Sequence, residues 1–186
     1  MARRAGIGVV AELIMADREM PLTFATARDA PAIAAMSRDL IEAGLGWEYR
    51  QERIARMIGK SDVTAVAARD DGRVAGFALM NIGHERAHLA LLAVLPVYQR
   101  RGVARRMVAW LVESAVTAGV ASIHVELRAA NVAAYALYRD AGFSETVREP
   151  GYYAGRETAV RMLRLIRAPD APLPAWQPPW GQSRTR

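Results

Sequence analysis

The chain has 186 residues, of which 52% are apolar and 24% charged, a composition typical of one soluble globular domain. It contains no cysteine, which excludes disulfides, thiolate zinc sites and a cysteine nucleophile. No apolar run reaches the roughly 18–20 residues of a membrane span, so we expect a cytoplasmic protein.

Much of the net charge of +6 lies in one place, in a cluster formed by Arg100, Arg101, Arg105 and Arg106. A nucleic-acid surface would repeat basic residues along the chain and place aromatic residues between them. A local cluster instead suits a small polyanion such as the phosphates of a cofactor. We therefore expect no nucleic-acid partner.

Alternating apolar residues mark the predicted strands, and apolar residues three or four apart mark the helices. The predicted elements, in chain order, are a strand at 22–27, a helix that Asp29 caps and Gly44 ends, a helix at 51–58, a hairpin of strands at 63–69 and 74–82, a strand at 87–94, a helix at 102–118, a strand at 123–127, a helix at 131–140, and strands at 143–148 and 157–166. This order predicts a mixed α/β fold.

The two ends of the chain differ from the middle. Residues 1–19 form an ambiguous N-terminal extension, because the strand pattern begins only after Met20. The last residues, 168–186, hold five of the nine prolines and two of the four tryptophans. Such a composition forms no core of its own, so we expect this tail to lie along the domain or a partner. The domain itself is predicted at 20–167.

The clearest chemical signal lies where the strand at 87–94 meets the helix that Gly102 opens. The first backbone N–H groups of a helix lack partners, and the positive end of the helix dipole lies behind them. Gly102 and Ala104 allow an anion to approach these groups, and the neighbouring arginines add charge. The segment is predicted to bind a phosphate or pyrophosphate, although it matches neither the Walker nor the GxGxxG pattern.

Two motifs in this order resemble those of the GNAT acetyltransferases. They are Gln99-x-x-Gly102-x-Ala104 after an apolar strand, and Asn131-x-x-Ala134-x-x-Leu137-Tyr138-x-x-x-Gly142-Phe143 downstream. Either motif alone is weak, but together in this order and spacing they are specific. The resemblance covers roughly Leu22 to Ile166. It implies a single GNAT-like domain with a central twisted, mostly antiparallel mixed sheet of about seven strands, flanked by about four helices and opened by acetyl-CoA near Val94.

Within that family, the run from Val125 to Asn131 together with Tyr138 is most similar to the ribosomal-protein N-terminal alanine acetyltransferases. The resemblance implies Glu126 as general base and Tyr138 as general acid. It also implies that Arg148, Tyr152 and Tyr153 end the loop on the substrate side. The implied acetyl-CoA contacts are Leu92, Ala93, Val94, Gln99, Arg100, Arg101, Gly102, Val103, Ala104, Arg105, Asn131 and Tyr138. The sequence departs from the family at Ala130, where serine is usual, and at Thr158, where an acid is common.

The expected reaction is direct attack of a neutral amine on the acetyl carbonyl in a ternary complex. Tyr138 suits the donor of a proton to the departing thiolate, because a phenol with a pKa of about 10 keeps its proton at neutral pH. Glu126 or His88 is the candidate base; His88 starts the cofactor-pairing strand, and histidine titrates near neutrality. An N-terminal amine is about one-fifth neutral near pH 7.4, against about a thousandth for lysine, and so needs less help from a base.

The acceptor stays open at this point. Trp47 and Tyr49 either form an acceptor wall or simply anchor their loop. A protein N-terminus is the leading acceptor; alternatives are a small amine (polyamine, amino acid or drug) or a non-catalytic acyl-CoA-binding module, in a monomer or homodimer. The run from His84 to His88 spells HExxH, but that zinc motif requires a helix and these residues are predicted to span a turn. No metal is expected, and His124 is expected at a surface or interface.

Overall fold

The computed structural model describes residues 20–167, and the predictions for the N-terminal extension and the C-terminal tail lie outside this range. Within it the α-helices and strands are β1 (Leu22–Phe24), α1 (Ala30–Leu40), α2 (Gln51–Ile58), β2 (Val63–Asp70), β3 (Arg73–Ile82), β4 (Arg86–Val94), α3 (Val103–Thr117), β5 (Ser122–Arg128), α4 (Val132–Asp140), β6 (Ser144–Tyr153) and β7 (Glu157–Leu165). No helix of the described range is long and apolar enough to cross a membrane.

All seven strands form one sheet in the order β1-β2-β3-β4-β5-β7-β6. Every neighbouring pair is antiparallel except β4 and β5, which run parallel. A parallel pair needs a crossover connection, and α3 supplies it between the end of β4 and the start of β5. The predicted fold, a mostly antiparallel mixed sheet flanked by four helices, is confirmed.

The two faces of the sheet are covered by different helices. On one face, α3 packs on β2, β3, β4 and β5, with Met107 and Leu111 in the same buried cluster as Val125 of β5. On the other face, α1 and α2 cover β2, β3 and β4, with Ile33 and Ile54 fully buried there. No buried residue of β5, β6 or β7 belongs to this second cluster within the described range. The half of that face formed by these three strands is therefore available for a substrate.

The start of the domain differs from its prediction. The first strand ends at Phe24, because residues Ala27–Asp29 form a short 3-10 turn. Asp29 does occupy the N-cap position of α1, but its carboxylate forms no cap hydrogen bond to that helix. It accepts from the Thr26 amide at 2.7 Å and pairs with Arg69 at 2.8 Å, and hydrogen bonding to Arg69 lowers the pKa of Asp29. The Asp29 carboxylate therefore connects the turn to β2 and does not cap the N-terminus of α1.

The turn residues predicted from the sequence have the left-handed backbone that such turns require. Asp71 and Gly72 have φ angles of 44° and 80° and close the β2–β3 hairpin. Gly119, with a φ of 73°, follows the end of α3. The helix α2 has the predicted bounds.

Candidate active site

The site begins where β4 and β5 separate. In the described chain, their parallel ladder covers only Arg86–Leu89 against Ser122–Val125. Beyond it each strand pairs only with its outer neighbour, β3 or β7. Ala90 has no partner in β3, because Leu79 pairs with Leu91 and Met80 with Leu89, and such a bulge bends a strand. The sheet therefore opens as a wedge.

The wedge leads into a cleft of about 530 Å³, within the usual range for a small-molecule site. It is lined by residues of the α1–α2 loop, β4, β5, α4 and the β6–β7 hairpin. The predicted site residues among its walls are Tyr49, His88, Leu92, Glu126, Asn131, Tyr138, Tyr152 and Tyr153. A shallower groove between β1 and α3 contains none of the predicted catalytic, cofactor-binding or substrate-binding residues.

A tight turn connects the end of β4 to α3. Arg100 and Gly102 both have left-handed backbone, with φ angles of 62° and 76°. The Gln99 side-chain amide donates to the Val94 carbonyl at 2.9 Å, so it fixes the turn to the end of β4. Gly102 is the N-cap of α3, and no side chain caps the helix. The first amides of α3 therefore remain available to an anion.

The arginines around this turn are at the surface. Arg100, Arg101 and Arg105 are exposed. Arg101 lies over the Tyr98 ring at 5.8 Å, and Arg105 is 3.8 Å from the Asp140 carboxylate. Long, exposed guanidinium groups at a helix N-terminus add positive potential where the amides are free. Val103, by contrast, is buried in the core, so only its backbone faces this region.

The helix α4 contributes Asn131 and Tyr138 to the wall of the cleft. Tyr138 is 5% exposed and packs edge-on against Phe143 with ring centroids 5.5 Å apart. Burial raises the pKa of Tyr138, so its phenol is protonated at neutral pH. Asn131 is the N-cap of α4, and its side-chain oxygen accepts from the Ala134 amide at 3.0 Å. The predicted cofactor contact thus also stabilises the helix that carries Tyr138.

Glu126 lies in a charged network on the part of the sheet face that α1 and α2 leave uncovered. Its Oε2 accepts from the Tyr152 hydroxyl at 3.0 Å, and its Oε1 lies 2.9 Å from Arg161 Nε. That N–H is not aligned for a hydrogen bond, so the contact with Arg161 is an ion pair. Arg161 also pairs with Glu149 at 3.0 Å. The two carboxylates raise the pKa of Arg161, and hydrogen bonding to Glu126 raises that of Tyr152.

His88 lies at the closed end of the wedge. It is exposed on β4 and is in register with His124 of β5, two residues before Glu126. His124 is partly buried, with Nε2 3.1 Å from the Ser122 hydroxyl. Burial, then the charges of Arg86 and His88, lower the pKa of His124. Glu126, not His88, therefore stands in the stretch where the strands have separated.

The HExxH run lies across the β3–β4 turn. His84 and Glu85 belong to the turn, whereas His88 belongs to β4. The side chain of His84 is 98% exposed. Among residues 20–167, no three His, Cys, Asp or Glu side chains converge as a metal site would require. The helix that the zinc-peptidase motif needs is absent at this run.

Glu42 is one of the site residues that sequence reasoning missed. Glu42 is 7% exposed, and its carboxylate closes the α1–α2 loop by accepting from the Ser37 hydroxyl at 2.9 Å and from the amides of Glu48 and Tyr49 at 2.5 and 3.3 Å. Gly44 predicted the end of the helix, but sequence spacing does not reveal which acid would close the loop that follows.

The predicted substrate-side aromatics divide into two groups. Tyr49, Tyr152 and Tyr153 line the cleft, and burial raises the pKa of Tyr153 to about 12. Trp47 lies outside the cleft, with the guanidinium groups of Arg38 and Arg50 each 5.5 Å from its ring.

Arg148 also lies away from the cleft. It binds Glu145 at 2.6 Å and stacks over Tyr135. The structure therefore brings the tyrosines of the predicted loop to the site and leaves its arginine on the outer surface of β6.

A mixed sheet opened between two parallel strands, with an anion-binding turn at one end and a buried tyrosine inside, is the arrangement expected of an acyl-CoA-dependent transferase. The model of the acetyltransferase (GNAT) family matches residues 33–143. The chain belongs to this family. The predicted acetyl-CoA-dependent N-acetyltransferase activity is thereby confirmed.

Individual relatives agree with this assignment. The [ribosomal protein bS18]-alanine N-acetyltransferase of Escherichia coli is 39% identical over 99 residues, which is 52% of this chain and 67% of that protein. The crystal structure of the ribosomal-protein-S18-alanine N-acetyltransferase from Escherichia coli has a TM-score of 0.70 at 28% identity, covering 82% of this chain and 97% of that one. The fold is also that of Arabidopsis thaliana NAA60 in complex with acetyl-CoA, with a TM-score of 0.69 at 18% identity, covering 79% of this chain and 98% of that one.

The two glycines at the ends of α3 offer a matched pair of variants. Gly102 and Gly119 have φ angles of 76° and 73°, and an added Cβ would meet nothing within 4 Å at either position. Each change to alanine should therefore cost about 1–2 kcal/mol of stability, because left-handed backbone is strained for alanine. Only Gly102→Ala changes the turn at the phosphate end. We expect it alone to raise the acetyl-CoA dissociation constant, by about fivefold or more in calorimetric titration.

Thermal unfolding of both variants provides the stability comparison. Equal weakening of acetyl-CoA binding by Gly119→Ala and Gly102→Ala would mean that the turn has no special part in binding.

Proposed function

We propose that this acetyltransferase modifies the N-terminal α-amine of a polypeptide. The observation that supports this acceptor is the pairing of the acids at the acceptor end of the cleft. Glu126 is paired with Arg161, and Glu48 with Arg53 at 3.0 Å. A polyamine carries several cations and is bound best by unpaired carboxylates. The third acid of the cleft, Glu42, accepts from the Ser37 hydroxyl and two loop amides. An end lined by tyrosines and by acids that already have partners suits a peptide better.

The chemistry of the amine favours the same acceptor. An α-amine with a pKa of about 7.7–8.0 is partly neutral at physiological pH, whereas lysine with a pKa of about 10.4 is almost wholly charged. Glu126 already contacts a cation and a phenol, Arg161 and Tyr152. A base so engaged suits an acceptor that needs little deprotonation.

We assign the proton transfers as follows. The neutral amine attacks the acetyl carbonyl, a C–N bond forms, and the C–S bond to coenzyme A breaks. Tyr138 donates its phenolic proton to the departing thiolate. Its raised pKa keeps the phenol protonated at neutral pH before the transfer. Glu126 accepts the proton of the amine directly or through water, and His88 is the second candidate for this step. These steps require no metal.

The donor is proposed to lie along the wedge. Backbone groups of Leu92, Ala93 and Val94 would pair with the pantetheine arm, because β5 has separated from this part of β4. The pyrophosphate would lie at the start of α3, bound by the backbone of residues 102–104, and Arg100, Arg101 and Arg105 of the same segment would add positive charge. Asn131 and Tyr138 would close the thioester end from α4.

The relative from Escherichia coli bears the name of an enzyme acting on the alanine of ribosomal protein bS18. We extend this to the present chain as a proposal: its acceptor is the N-terminus of a ribosomal protein. We further propose that the enzyme acts in the cytoplasm as a monomer or homodimer and has no nucleic-acid or membrane partner.

Release of coenzyme A thiol in the presence of different acceptors tests the acceptor class. We expect turnover with peptides that have a free N-terminus, including one with N-terminal alanine. The same peptide with a blocked N-terminus and a free lysine serves as the matched control and should be inert. Preferential turnover of spermidine or an aminoglycoside would replace the peptide with a small amine. No turnover with any amine, despite acetyl-CoA binding, would indicate a binding module.

Tyr138→Phe tests the proton donor. We expect kcat to fall by about 100-fold, within the range attributed to one acid–base group, because phenylalanine keeps the packing but has no proton to give. The dissociation constant of acetyl-CoA should change by less than about twofold.

Tyr135→Phe is the matched control, since Tyr135 lies one turn earlier on the same helix and does not line the cleft. An unchanged kcat in Tyr138→Phe would remove Tyr138 from the proposed chemistry.

A further inference from the structure

Arg128 ends β5 and contacts two distant parts of the cleft. It lies two residues after Glu126 on the same face of the sheet, in the stretch that has no partner in β4. Its side chain is 23% exposed. Hydrogen bonds connect it to the end of α1 and to the β6–β7 hairpin. One cation therefore joins two elements that are far apart in sequence.

The first connection is to the C-terminal end of α1. Arg128 donates to the carbonyl of Ala43 at 2.7 Å and to that of Ile41 at 3.2 Å. The carbonyls of a helix C-terminus and of the turn just after it lack partners within the helix, so a guanidinium stabilises them. Glu42, between these two residues, holds the same loop through the amides of Glu48 and Tyr49. The α1–α2 loop is thus held by two side chains: the Glu42 carboxylate within the loop and the Arg128 guanidinium from β5.

The second connection is to the β6–β7 hairpin. Arg128 donates to Glu157 Oε1 at 2.6 Å, and its guanidinium lies 5.5 Å from the centre of the Tyr153 ring. Glu157 opens β7 and is in register with Tyr153 across the hairpin. The same hairpin carries Tyr152, the partner of Glu126. Arg128 therefore holds the strand ends that present both tyrosines.

We propose that Arg128 is a positioning residue that sets the width of the acceptor end of the cleft by holding the α1–α2 loop and the β6–β7 hairpin at a fixed separation. Tyr49 of the loop and Tyr153 of the hairpin both line the cleft, so their separation decides which acceptor fits. Arg128 also lines the cleft, but its guanidinium is bound to Glu157 and to two carbonyls, so it acts on the acceptor through these elements. The inference rests on the proposed function only in that an amine enters at this end.

Arginine is required here by geometry. A planar guanidinium directs its donors along several fixed directions, whereas lysine presents one compact charge. Arg128 uses this fork to reach a carboxylate on one side and two carbonyls on the other. A lysine at this position would satisfy one connection and lose the other.

Steady-state kinetics of Arg128→Gln in the full chain test the proposal, with whichever amine the wild type acetylates. We expect the acceptor KM to rise about tenfold or more, with kcat changed less than about threefold and the acetyl-CoA dissociation constant within about twofold. Arg128→Lys should be intermediate. Arg139→Gln is the matched control, an exposed arginine of α4 outside the cleft, and should change none of these values.

Glu157→Gln removes only the hairpin connection, so it keeps the test valid if Arg128→Gln does not fold. We expect a smaller rise in the acceptor KM from this change, and the double variant should show less than the sum of the two effects, as coupled partners do. Hydrogen exchange should increase in residues 41–50 and 151–156 of Arg128→Gln but not in α3.

An unchanged acceptor KM in a folded Arg128→Gln would overturn the proposal, and so would an equal loss of acetyl-CoA affinity. Turnover of small amines alone would contradict the peptide acceptor and leave the Arg128 test in place. If the wild type acetylates no amine, the hydrogen-exchange result decides, and unchanged exchange in both segments would overturn the proposed position of Arg128.

Discussion

The separation of β4 from β5 is the constraint on which the rest of the structure depends. The two parallel strands are held together by only four register pairs and then diverge, at the position where Ala90 bulges from β4. Gly76 of β3 lies against the far end of β4, where a Cβ would come within 3.2 Å of the Ala93 carbonyl and of Val94. The strand β4 is thus closely packed against β3 on one edge and unpaired on the edge that faces β5. That open edge provides unpaired backbone groups, which a donor molecule can use.

The cleft has a donor end and an acceptor end that are built differently. The donor end relies on backbone: the edge of β4, the left-handed turn through Gly102 and the uncapped start of α3. The acceptor end relies on side chains that bind one another, through Glu126 with Arg161 and Arg128 with Glu157. Backbone geometry tolerates sequence change, whereas a network of side chains changes with each substitution. This contrast explains physically how one fold can keep a common donor while its acceptors differ.

The donor end could be predicted from the sequence because its determinants are local. The strand end, Gln99, Gly102 and the start of α3 follow one another along the chain, and the alternation of apolar residues places them on known elements. Asn131 and Tyr138 likewise lie on one short helix, where spacing fixes their relation. The mostly antiparallel mixed sheet of about seven strands was implied by the family resemblance rather than by periodicity, and its strand order was not predicted.

The acceptor end could not be predicted in the same way. Arg128 binds the carbonyl of Ala43, and the two are far apart in sequence, so no local pattern joins them. Glu42 resembles any exposed acid at a helix end until the folded loop turns its own amides onto the carboxylate. Trp47 illustrates the converse, since an aromatic next to the site by sequence packs against the core under α1 and α2 and contacts two arginines outside the cleft.

Hydrogen exchange with and without saturating acetyl-CoA tests most directly whether the open edge holds the donor. The amides of residues 90–94 and 102–104 should exchange more slowly in the complex, because the donor would occupy the groups that β5 leaves unpaired and those at the start of α3. The β6–β7 hairpin should change less. Unaltered exchange in both segments at saturating acetyl-CoA would contradict the assignment of the wedge as the acetyl-CoA site.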